Sequence, residues 1–197
     1  MSLSLSMAAF ALAASISPGP VNIVALGAGA RHGLRPAMRH VTGATLGFIL
    51  LLVLIGLGLH EVLRHWPGLA VALHWAGVLF LLYMAWKLAR DDGALGEGRD
   101  THAPNLLRGA AMQWLNPKAW LACVAGIGAF VGQGETALLG QFSLIYLVIC
   151  YLSLGCWALA GSLIRSYLDN PRRLRLFNRS LAALLVLSAL YLMQGSV

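Results

Sequence analysis

The chain has 197 residues, 59% of them hydrophobic and only 11% charged, with a mean hydropathy of +0.76. Soluble domains carry roughly a quarter charged residues, so this composition excludes one. The formal charge of +7 sits at the ends of apolar runs, without aromatic-basic interleaving or zinc spacing, which excludes a nucleic-acid partner.

The apolar residues form long uncharged runs without period-2 alternation, the pattern of helices whose solvent is the lipid bilayer. The expected fold is an all-α membrane protein of six transmembrane helices. The first spans residues 4–28 and is interrupted by Ser17-Pro18-Gly19-Pro20. Its start is like the core of a secretory leader, but it carries no positive residue and runs on past Pro20, so it reads as a span. The second covers 41–59 and the third 68–87. The most polar segment, 90–105, holds Asp91, Asp92, Glu97, Arg99 and Asp100 and reads as a solvated loop. The fourth span, 108–131, is interrupted by Asn116-Pro117-Lys118, and 136–162 and 176–194 complete the set.

Basic residues alternate by side. The loops after spans one, three and five hold Arg31, Arg35 and Arg39, then Lys87, Arg90, Arg99 and Arg108, then Arg165, Arg172, Arg173, Arg175 and Arg179. The opposite side has Arg64. The positive-inside rule puts the first set in the cytoplasm and both termini outside the inner membrane. Each half has three spans and opens on a proline-broken helix. The chain therefore reads as one membrane domain of two inverted three-helix repeats with broken helices 1 and 4. The first repeat is 1–89, a cytoplasmic loop covers 90–107, and the second repeat is 108–197.

Proline within a helix removes a donor and frees carbonyls, which lipid cannot satisfy. At about 1.5 Å per residue both breaks fall near the middle of a roughly 30 Å hydrocarbon core. Two matching mid-membrane breaks point to a transport site. Lys118 is the ionisable residue inside a span, and an unpaired ammonium there costs at least about 2.5–3.5 kcal/mol. Freed carbonyls near Pro18 and Pro117, the Asn22 and Asn116 amides, or a substrate carboxylate are its candidate partners. The candidate substrate-binding residues are therefore Ser17, Pro18, Gly19, Pro20 and Asn22 at the first break, Gln113, Asn116, Pro117 and Lys118 at the second, and Thr45 on span two. Ser15 and Thr42 are polar neighbours, and a hydroxyl bonded to its own helix carbonyl is the simpler reading for each serine and threonine.

The three cysteines, Cys123, Cys150 and Cys156, lie inside spans without a C-x-x-C pair and read as buried small apolar residues. Gly43…Gly47 and Gly128…Gly132 are G-x-x-x-G patterns that suit either internal packing or a homodimer face. All seven acidic residues lie at span ends or in loops, which leaves His74 as a candidate titrating group or an interfacial histidine. No catalytic residue, metal set or cofactor is expected.

Ser17-Pro18-Gly19-Pro20 resembles the N-terminal signature of the lysine exporter (LysE/RhtB-type) family. Ala28-Gly29-Ala30-Arg31-His32-Gly33, followed by Gly43 and Gly47, is similar to its Arg-x-Gly turn and glycine-spaced second helix. Leu82-Tyr83-Met84-Ala85-Trp86-Lys87 resembles the end of its third helix, with Ala85 where glycine is usual. Leu115-Asn116-Pro117-Lys118-Ala119 resembles its second signature, in a context altered to Trp114, Trp120 and Cys123. The resemblance implies export of amino acids or close derivatives by secondary transport, with the proton as coupling ion. An exporter of another small solute and a non-transporting membrane assembly subunit are the alternatives that the residues leave open.

Overall fold

A computed structural model describes residues 2–59, 65, 67–90, 104–131, 135–168 and 170–194. The polar segment 91–103, Gly132 and the side chain of His74 lie outside the described residues. Among those described the chain forms eight α-helices and no strand. They are α1 (Leu3–Ile16), α2 (Pro20–His32), α3 (Leu34–Leu54), α4 (Pro67–Ala89), α5 (Leu106–Trp114), α6 (Pro117–Phe130), α7 (Thr136–Leu163) and α8 (Pro171–Gln194).

Proline punctuates this order. Pro20 and Pro117 each take the first helical position of α2 and α6, where a missing N–H costs nothing. α1 and α2 meet at 62° across the Ser17-Pro18-Gly19 break. Among the described residues α3 with its continuation to Gly58 and α7 are long and apolar enough to cross a membrane, and the α1–α2 pair adds a third if its two helices form one span. Leu107 is 82% exposed and Leu121 70% exposed, which suits side chains that face acyl chains.

The segment 34–40, expected as loop, is helical. Gly33 adopts φ +80 and reverses the chain in a single residue, so α3 begins at Leu34 and the exposed Arg35 and Arg39 ride on its first turns. Cys123 and Cys150 are buried as expected, whereas Cys156 is exposed, because it falls on the outward face of α7.

The core forms where α1, α2, α3, α6 and α7 meet. Met7, Phe48, Leu51, Phe142 and Tyr146 pack there, and the Phe48 and Tyr146 rings lie 4.4 Å apart. Two seams bring backbones together. Gly29 of α2 lies against the Ala158 carbonyl of α7, and Gly161 answers it against the Leu26 carbonyl. Gly43 and Gly109 do the same between α3 and α5, against the Leu106 and His40 carbonyls. Gly47 sits on Ala110 in that second seam, so the pattern at 43–47 serves internal packing. α4 and α8 pair with each other beside this core.

A Cβ at position 29 would collide with backbone, while one at Gly140 meets nothing within 4 Å. Gly29→Val is expected to destabilise the protein by about 1–3 kcal/mol or more, and Gly140→Val to leave it unchanged. Thermal unfolding in detergent compares the two.

Candidate functional site

In an α-helix each carbonyl accepts from the N–H four residues on. At the end of α1 that donor is missing for Ala14 and Ile16, because positions 18 and 20 are proline. The structure answers every carbonyl from residue 14 to residue 18 with a side chain. Ser17 Oγ donates to Ala14 O (3.3 Å), and Asn22 Nδ2 donates to Ser15 O (2.8 Å). Trp157 Nε1, from α7, donates to Ile16 O (3.0 Å). Lys118 Nζ donates to Ser17 O and Ser17 Oγ, both at 2.8 Å, and to Pro18 O at 3.3 Å.

Lys118 is thus half-buried and placed on the negative end of the α1 dipole. Gly19 makes room for it: a Cβ there would stand 3.3 Å from both Cδ and Nζ of the lysine. The two breaks, distant in sequence, are joined through this one ammonium.

The second break closes on itself. Asn116 caps α6 by accepting from Lys118 N (3.2 Å), and its own N–H donates to Gln113 O (3.1 Å). Asn116 Nδ2 donates to Gln113 Oε1 (3.3 Å). Trp120 Nε1 donates to Trp114 O (2.7 Å), and Trp114 Nε1 reaches Gly47 O on α3 (3.1 Å). The start of α2 differs, for Gly19 offers no side-chain cap. Gly19, Pro20, Val21 and Asn22 are all buried, so the first N–H groups of α2 open inside the protein. A buried, uncapped helix start favours an anion.

Between the breaks lies a cavity of about 30 Å³ whose lining includes the polar Asn22, Gln113, Asn116 and Lys118 together with Phe48, Tyr146 and Cys150. That is room for roughly two water molecules, so an amino acid enters only when the helices part. Of the expected residues, Asn22, Gln113, Asn116 and Lys118 line the cavity, Ser17 and Gly19 touch Lys118 from behind, and Pro18, Pro20 and Pro117 shape the backbone. Thr45 stands back from the cavity beside the Cys150 thiol, buried and without a hydrogen bond of good geometry. Thr42 bonds its own helix at Met38 O (2.8 Å).

Tyr146, Cys150, Phe48 and Trp157 are the participants that sequence reasoning passed over. Tyr146 and Cys150 stand one helical turn apart on α7, a spacing that marked them as one face. Trp157 carries no such signal, since its partner lies 141 residues away.

Broken helices around a polar cavity, in an apolar all-helical chain, suit a membrane translocator. The LysE type translocator family model matches residues 12–196, and the chain belongs to that family. A cysteine/O-acetylserine efflux protein of Klebsiella pneumoniae subsp. pneumoniae is 31% identical over 183 residues, covering 91% of each chain. The protein of the same description from Escherichia coli O6:K15:H31 is 29% identical over 184 residues, 92% of this chain and 91% of its own. That from Salmonella typhimurium is 29% identical over 185 residues with the same coverage. No solved structure matches the chain. Such bacterial efflux relatives place this multi-pass chain in the bacterial inner membrane.

Removing the Trp157 donor leaves the Ile16 carbonyl without a partner in an apolar setting. Trp157→Phe is expected to cost about 1–3 kcal/mol, read as a lowered unfolding temperature in detergent.

Proposed function

We propose that the chain exports a small amino acid or close derivative from the cytoplasm by proton-coupled secondary transport, binding it at the junction of the two breaks. The observation that carries this reading is the Lys118 ammonium beside the uncapped, buried start of α2. Together they offer an amino-acid carboxylate a cation and free N–H groups. The carboxylate exchanges for the longest of the lysine's contacts, Pro18 O at 3.3 Å. The Gln113 and Asn116 side-chain oxygens, which line the same cavity, receive the ammonium of the substrate. Its side chain points toward Phe48, Tyr146 and Cys150, where space is short and polar atoms are few, which suits a small side chain. The relatives' description as cysteine/O-acetylserine efflux proteins supports substrates of that size.

The architecture we propose is six spans in two inverted repeats, 1–89 and 108–197, with the loops after spans one, three and five in the cytoplasm and both termini outside. The packing supports it in part: α1 lies on α7 as α5 lies on α3, and α3 with α7 and α4 with α8 are counterpart pairs. α2 packs on α7 more closely than α6 does on α3, so the likeness is incomplete. Arg31, Lys87 and Arg108 gather at one end of the bundle, as the orientation requires.

Efflux from cells preloaded with dipeptides tests the function. The chain is expected to accelerate release of small polar amino acids selectively, and Lys118→Ala to abolish that acceleration at an unchanged level in the membrane. Acceleration of no amino acid would sink the export reading, and full efflux by Lys118→Ala would remove Lys118 from the site.

A further inference from the structure

We propose that the groove between α4 and α8 binds one anionic phospholipid, its phosphate held by Arg179 and an acyl chain laid along the two helices. The groove has a volume of about 470 Å³ and shares no residue with the central cavity, so the proposal does not depend on the export reading. On α8 it is lined by Arg179, Ala182, Ala183 and Val186. On α4 it is lined by Leu82, Ala85, Trp86 and Ala89. Each set falls at i, i+3, i+4 and i+7, which is one face of a helix. Beneath these faces Val78 and Leu81 of α4 share a buried cluster with Leu181 and Leu185 of α8. The alanines above that floor lack the bulk to close the gap, so a trough stays open along the pair.

Arg179 is the one charged group in the trough. Neighbouring guanidinium groups are engaged. Arg173 donates to Tyr167 O (3.4 Å) and lies 4.3 Å from the centre of that ring, and Arg175 Nε donates to Pro171 O (3.4 Å). Among the described residues no hydrogen bond or ion pair engages Arg179, and no described helix contains Asp or Glu. Its fork of N–H donors is therefore open to a group from outside the chain, and a phosphate takes two of them at once. Arg90, 4.8 Å from the centre of the Trp86 ring, brings a second cation to the groove, which favours a headgroup of net negative charge.

The occupant has to satisfy both parts. Water suits the arginine and wets the apolar trough at a cost, whereas bare hydrocarbon suits the trough and leaves the arginine without a partner. A second copy of the chain would fill the trough with side chains, but no described helix of it carries a carboxylate for Arg179. A phospholipid supplies the anion and the hydrocarbon in one molecule. From Arg179 to Val186 the trough runs about 10 Å at roughly 1.5 Å per residue, within the roughly 15 Å of hydrocarbon in one leaflet.

Native mass spectrometry of the purified full-length protein tests this, with an equal mixture of phosphatidylglycerol and phosphatidylcholine of the same acyl chains added in detergent. Wild type is expected to retain one phosphatidylglycerol in preference to phosphatidylcholine. Arg179→Gln is expected to weaken that retention about fivefold, the effect of one basic residue at a membrane surface. Ala183→Trp fills the trough and is expected to abolish it. Arg172→Gln, exposed and outside the groove, is expected to change nothing. Equal retention of the two lipids by wild type overturns the proposal, as does wild-type retention by Arg179→Gln. An equal loss in Arg179→Gln and Arg172→Gln overturns it too, since the basic residues would then act only as a diffuse charge. A wild-type dimer that Ala183→Trp splits into monomers would give the face to a second copy instead. Should Ala183→Trp fail to fold, the comparison of the two exposed arginine variants decides.

Discussion

Lipid offers no hydrogen bonds, so a carbonyl deprived of its helical donor has to be answered from within the protein. Pro18 and Pro20 deprive Ala14 and Ile16, and the break between α1 and α2 exposes their neighbours as well. Much of the central arrangement follows from how those oxygens are met. Trp157 ties α7 to the end of α1, Asn22 folds α2 back toward it, and Lys118 brings the start of α6 across to the same point. Four helices are thereby held around one spot, and the cavity is the space they fail to fill.

The two breaks solve the same problem differently. At the second, Asn116 caps the helix it precedes and meets the Gln113 carbonyl with its own N–H, the Trp120 indole meets the Trp114 carbonyl, and the Trp114 indole ties the junction to α3. That junction needs little from the first half of the chain beyond Gly47 O. At the first, the acceptors are satisfied by distant side chains, while the start of α2 keeps its first N–H groups uncapped. Unused donors in a dry interior are an invitation to an anionic group, and a lysine stands next to them. In the proposed site the first break thus supplies the N–H groups and the second the cation.

Both breaks and Lys118 were legible in the sequence, because proline and a lone ammonium are conspicuous in apolar spans and their physical demands are local. The carbonyls near Pro18 were one of three kinds of partner that the same demand allowed Lys118, and the structure pairs it with them. Trp157 was illegible, since an indole in a membrane helix is equally at home facing lipid and its acceptor is set by tertiary packing. The burial of His40, 3% exposed, was hidden by its neighbours. Arg35 and Arg39 look like loop, but a one-residue reversal at Gly33 starts the helix early, so the arginines face outward and the histidine inward. Tyr146 and Cys150 read as ordinary core residues, which they are until one sees what lies across from them.

The glycine seams bear on how such a molecule can move. Gly29 with Gly161 locks α2 to α7, and Gly43 with Gly109 locks α3 to α5. Each seam joins a helix from one half of the chain to a helix from the other. Backbones in that intimate contact slide and separate reluctantly, whereas the α2–α3 boundary, where His40 meets Val21, has no such lock. A movement that spares the seams would carry mixed pairs, one helix from each half, as solid pieces. Sequence symmetry would describe the ancestry of this protein, and the seams its mechanics, and the two divide the molecule along different lines.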